Sequence, residues 1–221
     1  MDMMQAIVAR HSVRRYRPQA IEPETRAALE AETQACNQKS GLHIQLVTDE
    51  PKAFDCMMAH YGKFSGVTNY IALVGSKSPD FEERCGYWGE HLALTAQQMG
   101  LNTCWVAMSY RKVPGAFRVD RGEKLALVIS LGYGETQGTP HRSKTAEQVS
   151  NVGPQTPEWF AAGVEAALLA PTAMNQQRFT LTYKNGEVEA KAGVGFYTKV
   201  DLGIVKYHFE IGANRKLQSH E

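Results

Sequence analysis

The sequence predicts an α+β fold in which helices pack on a mixed β-sheet. Segments with helical periodicity alternate along the chain with short apolar runs rich in β-branched residues. Two of these runs, residues 68–74 and 124–131, are nearly continuous in apolar residues, which is typical of strands buried on both faces. An Asn185-Gly186 pair within residues 179–190 indicates a two-residue hairpin turn. At 221 residues, the chain is long enough for one large domain or two small lobes.

The remaining elements follow from the same local patterns. Helices are predicted at residues 3–10, 23–35, 51–61, 82–99, 158–169 and 201–213, and a further strand at residues 43–48. In the longest helix Trp88, Leu92 and Ala96 share one face, and Gly100 ends it. Residues 132–157 are rich in Gly, Pro, Ser and Thr, which predicts a crossover loop or linker. A helix–loop–strand plan occurs at residues 28–47 and again at 164–182, which suggests two similar halves.

Composition and charge exclude several classes of protein. A net charge of +1 with 21% charged residues argues against a nucleic-acid-binding protein. Four cysteines without a CxxC pair, and histidines without ligand spacing beside them, predict neither a disulfide framework nor a metal site and favour a reducing compartment. The sequence has no apolar run long enough to span a membrane and no signal-peptide pattern at its start. We therefore expect a soluble, cytoplasmic protein that acts on small molecules.

Two basic clusters predict an anion-binding site. Arginines at positions 10, 14, 15 and 17 surround Ser12 directly after the first helix, and guanidinium groups bind phosphate bidentately. A second cluster, His141-Arg142-Ser143-Lys144, lies in the crossover loop. Taken alone, each cluster is more often a solvated basic surface. Together they could anchor one phosphate.

Two further segments have the composition of a site for a planar ligand. Residues 100–108, Gly-Leu-Asn-Thr-Cys-Trp-Val-Ala-Met, lead from a helix end into an apolar strand-like segment whose backbone N–H groups could donate to a ring. Residues 170–177, Ala-Pro-Thr-Ala-Met-Asn-Gln-Gln, combine small side chains with amides that suit a uracil-like edge. For residues 100–108 the alternative is ordinary core packing after a helix cap. Cys104 is interpreted as a small core residue, since nothing basic adjoins it in sequence.

These four segments together resemble the FMN-dependent nitroreductase family. The resemblance rests on Arg-x-Ser-x-Arg at residues 10–14, the Gly-Leu-x-Thr-Cys-Trp turn, the Ala-Pro-Thr loop, and the Gly-Tyr strand end that precedes Arg142 and Lys144. It covers nearly the whole chain and implies a nitroreductase-like fold. Asn102 departs from the family's usual glycine.

The late position of the Ala-Pro loop is the main departure from ordinary members. They carry this loop in the first third of the chain, where this sequence has only Ala-Cys-Asn-Gln at residues 35–38. The chain therefore resembles the branch in which one polypeptide imitates the usual homodimer. This implies an N-terminal half at residues 1–135, a crossover loop at 136–157 and a C-terminal half at 158–221. It also implies one FMN per chain and a monomer, with further homodimerisation still open.

The resemblance assigns the site residues by motif. It implies that the phosphate and ribityl chain are held by Arg10, Ser12, Arg14, Arg142 and Lys144. The isoalloxazine ring would be flanked by Trp105, Val106 and Ala107, and its other face closed by Pro171, Thr172, Ala173, Asn175 and Gln177. Lys63 is a candidate for the pyrimidine edge, where a cation stabilises reduced flavin.

The implied activity is ping-pong hydride transfer through flavin N5. NADH or NADPH would be the donor, and a nitroaromatic, quinone or similar small molecule the acceptor. The flavin carries the chemistry, so no catalytic side chain is assigned. Two alternatives remain open: an enone reductase, flavin reductase or dehalogenase on the same scaffold, and a flavin-binding sensor or storage module without turnover.

Overall fold

The computed structural model describes residues 1–217 and has the predicted α+β fold. Its helices are α1 (Met3–Ala9), α2 (Pro23–Ser40), α3 (Met57–Tyr61), α4 (Phe81–Gln98), α5 (Ala146–Val149), α6 (Glu158–Ala167) and α7 (Thr198–Ala213). Its strands are β1 (Gln45–Val47), β2 (Asn69–Ser76), β3 (Asn102–Val106), β4 (Glu123–Gly132), β5 (Phe179–Lys184) and β6 (Glu187–Ala192). Within residues 1–217, no helix is both long and apolar enough to cross a membrane.

The chain forms two compact units that interleave along the sequence. The sheet unit comprises Ala9–Phe81 and Leu92–Thr139. The helical unit comprises Met1–Val8, Glu82–His91 and the chain from Pro140 onward. The division into two similar sequence halves stays a prediction.

The sheet unit is built on four strands in the order β1-β2-β4-β3. Every neighbouring pair in this sheet is antiparallel. Parallel pairing occurs as isolated bridges, such as the one between Ser12 and Thr103. Alternate residues of β2, including Tyr70 and Ala72, enter a core cluster with Phe54. The residues between them are buried as well, which explains the continuous apolar run.

The helical unit is held together by close contacts of α7 with α6 and with the 82–91 part of α4. A Cβ atom at Gly203 would lie 2.0 Å from the carbonyl oxygen of Glu83, so only glycine allows this approach. The fully buried His208 hydrogen-bonds the carbonyl oxygen of Ala166 through Nδ1 (3.1 Å) and the carboxylate of Glu90 through Nε2 (2.9 Å).

The strongest local signals gave the most accurate elements. The hairpin β5–β6 turns at Asn185 and Gly186, whose positive φ angles of 53° and 89° fit the predicted two-residue turn. The helix predicted at residues 51–61 begins only at Met57, because the carboxylate of Glu50 accepts the backbone N–H groups of Lys52 and Ala53 in a turn. The crossover loop also contains the short helix α5, which begins with a Thr145–Gln148 capping box.

Candidate functional site

A cavity of about 390 Å³ lies in the sheet unit, a size that suits a small-molecule site. Five predicted residues line it: Arg14, Lys63, Trp105, Val106 and Ala107. Its wall also contains four residues that the sequence did not assign, Tyr61, Gly62, Phe64 and Ser109. Gly62 and Phe64 flank Lys63 in the chain and Tyr61 precedes Gly62, so their proximity to Lys63 was the available signal.

Backbone pairing places Arg14 in this wall. The N–H of Val13 donates to the carbonyl oxygen of Thr103 on β3 (3.0 Å). On the other side, the N–H of Ser65 donates to the carbonyl oxygen of Arg14 (3.0 Å). The carbonyl oxygen of Ser65 in turn accepts the N–H of Tyr16 (3.0 Å). The arginine segment is thus fixed at both edges through its backbone, which leaves the Arg14 guanidinium available to a ligand.

Tyr16 and Gly66 anchor this segment. The Tyr16 hydroxyl is buried and lies 2.7 Å from the carbonyl oxygen of Val13 and 2.9 Å from Ser130 Oγ. Gly66 has a φ of +68°, and a Cβ there would lie 2.2 Å from the carbonyl oxygen of Tyr16. Glycine is therefore required at this contact, both by its backbone conformation and by the missing space.

Arg10, Ser12 and Arg14 all act on Cys104. Burial raises the pKa of the Cys104 thiol, while Arg14, a hydrogen bond with Ser12 and the charge of Arg10 oppose that rise. The net increase leaves the thiol neutral, as expected for a core residue. The neighbouring Thr103 hydroxyl is buried and has no hydrogen-bond partner within residues 1–217. Two cations thus act on Cys104, and the residue before it in β3 has an unsatisfied hydroxyl.

Lys63 lies in the cavity wall and has a strained backbone conformation. After α3 the N–H of Lys63 donates to the carbonyl oxygen of His60 (2.9 Å), and the N–H of Phe64 donates to that of Ala59 (2.9 Å). This helix end gives Lys63 a φ of 63°, a conformation that usually falls to glycine. Strained positions of this kind concentrate at functional sites.

The charge balance of the cavity points to an anionic ligand. Arg14 and Lys63 are both exposed to solvent at the cavity. No carboxylate within the described residues pairs with either side chain. The Arg14 guanidinium carbon lies 5.9 Å from the ring centroid of Phe64, a cation–π contact. Two uncompensated cations in one cavity favour a phosphate or another anion.

Asn102 stands where the family motif usually has glycine, and its side chain forms two hydrogen bonds. Its side chain is buried, accepts the N–H of Gly134 (2.9 Å) and donates to Gln137 Oε1 (2.9 Å). The carboxamide therefore ties β3 to the chain that follows β4. A glycine at this position would lack both hydrogen bonds.

The helical unit contains the other predicted residues, and there the polar groups bind one another. Gln177 is buried, and its amide accepts the N–H of Lys144 (2.8 Å) and donates to Asn175 Oδ1 and the carbonyl oxygen of Arg142 (both 2.9 Å). The N–H of Gln177 donates to Thr172 Oγ1 (3.0 Å), and Lys144 Nζ donates to the carbonyl oxygen of Gln177 (2.8 Å). We call these five residues the amide network.

Both ends of the amide network are anchored within the helical unit. His141 Nε2 and Ser143 Oγ lie 3.0 Å from the carbonyl oxygen of Leu168, just after α6. Asp201, near the start of α7, accepts the N–H of Ala173 (2.9 Å) and the side-chain amide of Gln176 (2.8 Å). Burial raises the pKa of the Asp201 carboxyl to about 6, although both hydrogen bonds oppose the shift. Asp201 is a supporting residue that the sequence did not indicate.

The predicted residues thus fall into two sets, one in each unit. Pro171 and Ala173 belong to the same turn as the amide network, and Met174, Asn175 and Gln177 have positive φ angles there. The Arg142 side chain is exposed, and no partner for it lies within residues 1–217. Binding of one ligand by both sets stays a prediction.

Comparison with known families gives a match over almost the whole chain. The sequence model of the family described as "Putative TM nitroreductase" matches residues 2–213. No curated protein matches the sequence.

Solved structures show the same fold. A putative nitroreductase from Thermotoga maritima superposes with a TM-score of 0.68 at 22% identity, covering 100% of this chain and 91% of that one. A putative NADH dehydrogenase/NAD(P)H nitroreductase from Parabacteroides distasonis gives 0.53 at 24% identity, covering 68% and 98%. A putative nitroreductase in complex with FMN from Desulfovibrio desulfuricans gives 0.55 at 16% identity, covering 71% and 99%. At these identities the likeness establishes the fold.

Proposed function

This chain belongs to the putative TM nitroreductase family, and from that premise we propose that it is an FMN-dependent NAD(P)H oxidoreductase. The observation that carries the proposal is the cavity of the sheet unit, where Arg14 and Lys63 lie without carboxylate partners among the described residues beside Trp105. FMN combines a dianionic phosphate with a planar ring, and such a ligand matches two cations next to an aromatic strand.

The residues present fit this cofactor. The orphaned hydroxyl of Thr103 lies on the strand that pairs with Ser12, and Arg10 and Arg14 act on the adjacent Cys104. Arg10, Ser12 and Arg14 would therefore hold the phosphate and ribityl chain. Lys63 would face the pyrimidine edge, where its charge favours the reduced, anionic form.

Strand β3 supplies backbone donors for the ring. It lies at the edge of the sheet, where alternate N–H groups point away from the neighbouring strand. The parallel bridge to Ser12 occurs at Thr103, at the beginning of the strand. The later residues Trp105, Val106 and Ala107 border the cavity, so this stretch is suited to donate to a ring nitrogen.

Bound FMN would supply hydride transfer through N5, from NADH or NADPH to a nitroaromatic, quinone or similar acceptor. The chain's own residues bind and orient, and none of them needs to exchange a proton. Cys104 fits this division of roles, because burial raises its pKa and keeps it from acting as a thiolate. The nicotinamide donor is further supported by the NAD(P)H nitroreductase named among the fold's relatives.

We further propose that one chain holds one FMN as a monomer. The length of the chain supports this. The P. distasonis and D. desulfuricans structures are matched over 98% and 99% of their length by 68% and 71% of this chain. About 30% of the chain thus lies beyond the part that matches either protein, which provides a segment that could replace a partner subunit.

The test is cofactor uptake followed by turnover. We expect the purified protein to bind one FMN per chain and to oxidise NADH or NADPH faster when nitrofurazone is added. A protein that binds FMN but oxidises neither nicotinamide is a binding module, and the enzymatic proposal is then wrong. A colourless protein that takes up no FMN overturns the whole assignment. Light scattering that shows an obligate dimer with two FMN per chain contradicts the single-site monomer.

A further inference from the structure

We propose that His43, Asp120 and Glu123 form a binding site for one divalent transition-metal ion, with Zn²⁺ as the best match. The three side chains belong to the sheet unit and lie near the beginnings of β1 and β4. The site shares no residue with the cavity assigned to FMN, so it does not depend on the proposed function.

The donor set and its spacing suit such an ion. One ligand atom from each residue lies within 4.8 Å of the other two. His43 Nδ1 and Glu123 Oε2 are already 2.9 Å apart. Two atoms each about 2.1 Å from a tetrahedral zinc ion are separated by about 3.4 Å, so the triad closes around the metal through small side-chain rotations.

The backbone that carries these side chains is fixed before any metal binds. The N–H of His43 donates to the carbonyl oxygen of Val74 on β2 (2.8 Å). Gln45 and Arg118 bind each other twice: the Gln45 amide donates to the carbonyl oxygen of Arg118 (2.7 Å) and accepts its N–H (2.8 Å). The Asp120 N–H donates to Glu123 Oε2 (2.8 Å), which orients that carboxylate toward His43. Little ordering is therefore left for the ion to impose.

Charge and ligand chemistry select the class of ion. Two carboxylates face the site. The exposed side chain of Arg118 forms an ion pair with one of them, with Arg118 Nε 2.5 Å from Asp120 Oδ1. A divalent ion would replace that exposed charge. One imidazole nitrogen with two carboxylate oxygens suits Zn²⁺ and its first-row neighbours better than Mg²⁺ or Ca²⁺, which prefer oxygen ligands throughout.

The expected consequence is a cross-link over the central strand. In the order β1-β2-β4-β3, the strands β1 and β4 are not neighbours, because β2 lies between them. His43 precedes β1 and Glu123 begins β4, so a bound ion ties the two together at one end of the sheet. Metal binding to the folded state should therefore raise the melting temperature.

The test is a calorimetric titration of tag-free, chelator-treated protein with ZnCl₂. The background carries Cys56→Ser, since that cysteine is partly exposed and could itself bind zinc. We expect one saturable site and a higher melting temperature, with no comparable response to MgCl₂. His43→Gln and Asp120→Asn should each weaken zinc binding by at least about tenfold.

The matched control is His60→Gln. His60 is an exposed histidine whose Nε2 lies 3.7 Å from Asp55, so it reproduces a histidine–carboxylate pair without a third ligand. The control should leave zinc affinity unchanged, while far-UV circular dichroism verifies that every variant is folded. Equal zinc binding by the His43 and Asp120 variants, or a titration without saturation at one ion per chain, overturns the proposal.

Discussion

The cavity of the sheet unit and the amide network of the helical unit carry similar residue types but use them differently. In the cavity, backbone hydrogen bonds hold the chain in place, and the charged groups of Arg14 and Lys63 have no carboxylate partner within the described residues. In the network, the side chains of Gln177, Asn175 and Lys144 bind the chain itself. The first region keeps its binding capacity for a ligand, and the second uses much of that capacity to fix a loop.

The difference separates two roles that one sequence motif cannot distinguish. A side chain with unused donors lowers the free energy of a complex, whereas a side chain with satisfied donors lowers that of the folded protein. Substitutions in the first region should therefore change ligand affinity, and substitutions in the second should change stability. Substitutions at four residues test this division.

The largest effect is expected for Gln177→Ala in the amide network. The substitution removes three side-chain hydrogen bonds from a buried position. At about 1 kcal/mol each, we expect the free energy of unfolding to fall by about 3 kcal/mol in urea denaturation. Thr180→Ala, an exposed position on β5, is the control and should change stability by less than about 0.5 kcal/mol. A stable Gln177→Ala protein would contradict the structural role of the network.

The second prediction concerns Asp201, which holds the same turn. Its pKa of about 6 in the folded state, against an ordinary 3.8, means that the folded protein binds this proton more tightly than the unfolded chain. Its contribution to stability is therefore greatest below about pH 4, declines as pH rises to about 6, and is constant above. The loss is on the order of 2–3 kcal/mol.

Asp201→Asn removes this titration. Urea denaturation at several pH values should show wild type losing stability relative to the variant between about pH 4 and pH 6. Stability curves that run parallel across this range would show that burial does not perturb the carboxyl group.

The third prediction moves to the cavity, where affinity should change instead of stability. Arg14→Ala removes one of two uncompensated cations, and a hydrogen bond to a charged group contributes about 1.5–3 kcal/mol. We expect FMN affinity, measured by quenching of flavin fluorescence, to fall about 10- to 100-fold with an unchanged melting temperature. Arg15→Ala, which removes an exposed arginine that does not line the cavity, is the control. Equal losses for both variants would indicate a general effect of charge.

Local patterns in the sequence were enough to predict most of the fold. The Asn185-Gly186 turn and the apolar run of β2 depend on neighbouring residues, so they were predicted closely. The helix that begins at Met57 was predicted six residues too early, because Glu50 captures the backbone ahead of it. Such a competing hydrogen bond is visible only in three dimensions.

The candidate site was predictable in its members but not in their roles. The Arg-x-Ser-x-Arg and Trp105 motifs indicated residues that the structure brings to one cavity and one strand. The motif containing Gln177 could not show that its amide turns inward, since that depends on the distant residues Arg142 and Lys144. The support from Asp201, on the later helix α7, gave no sequence signal either.

The smallest expected effect separates binding from strain at a single residue of the cavity. Lys63 has a φ of 63°, where a residue with a Cβ costs about 1 kcal/mol relative to glycine. Lys63→Gly should therefore raise the free energy of unfolding by up to about 1 kcal/mol and weaken FMN binding through the loss of charge. Lys63→Gln keeps the strain and removes the charge. It should therefore weaken FMN binding as much as Lys63→Gly does, without any gain in stability. If the charge of Lys63 binds the ligand, the two variants lose FMN affinity equally and differ in the free energy of unfolding. If Lys63 serves only to end α3, both variants bind FMN as tightly as wild type, and the stability of the glycine variant still rises.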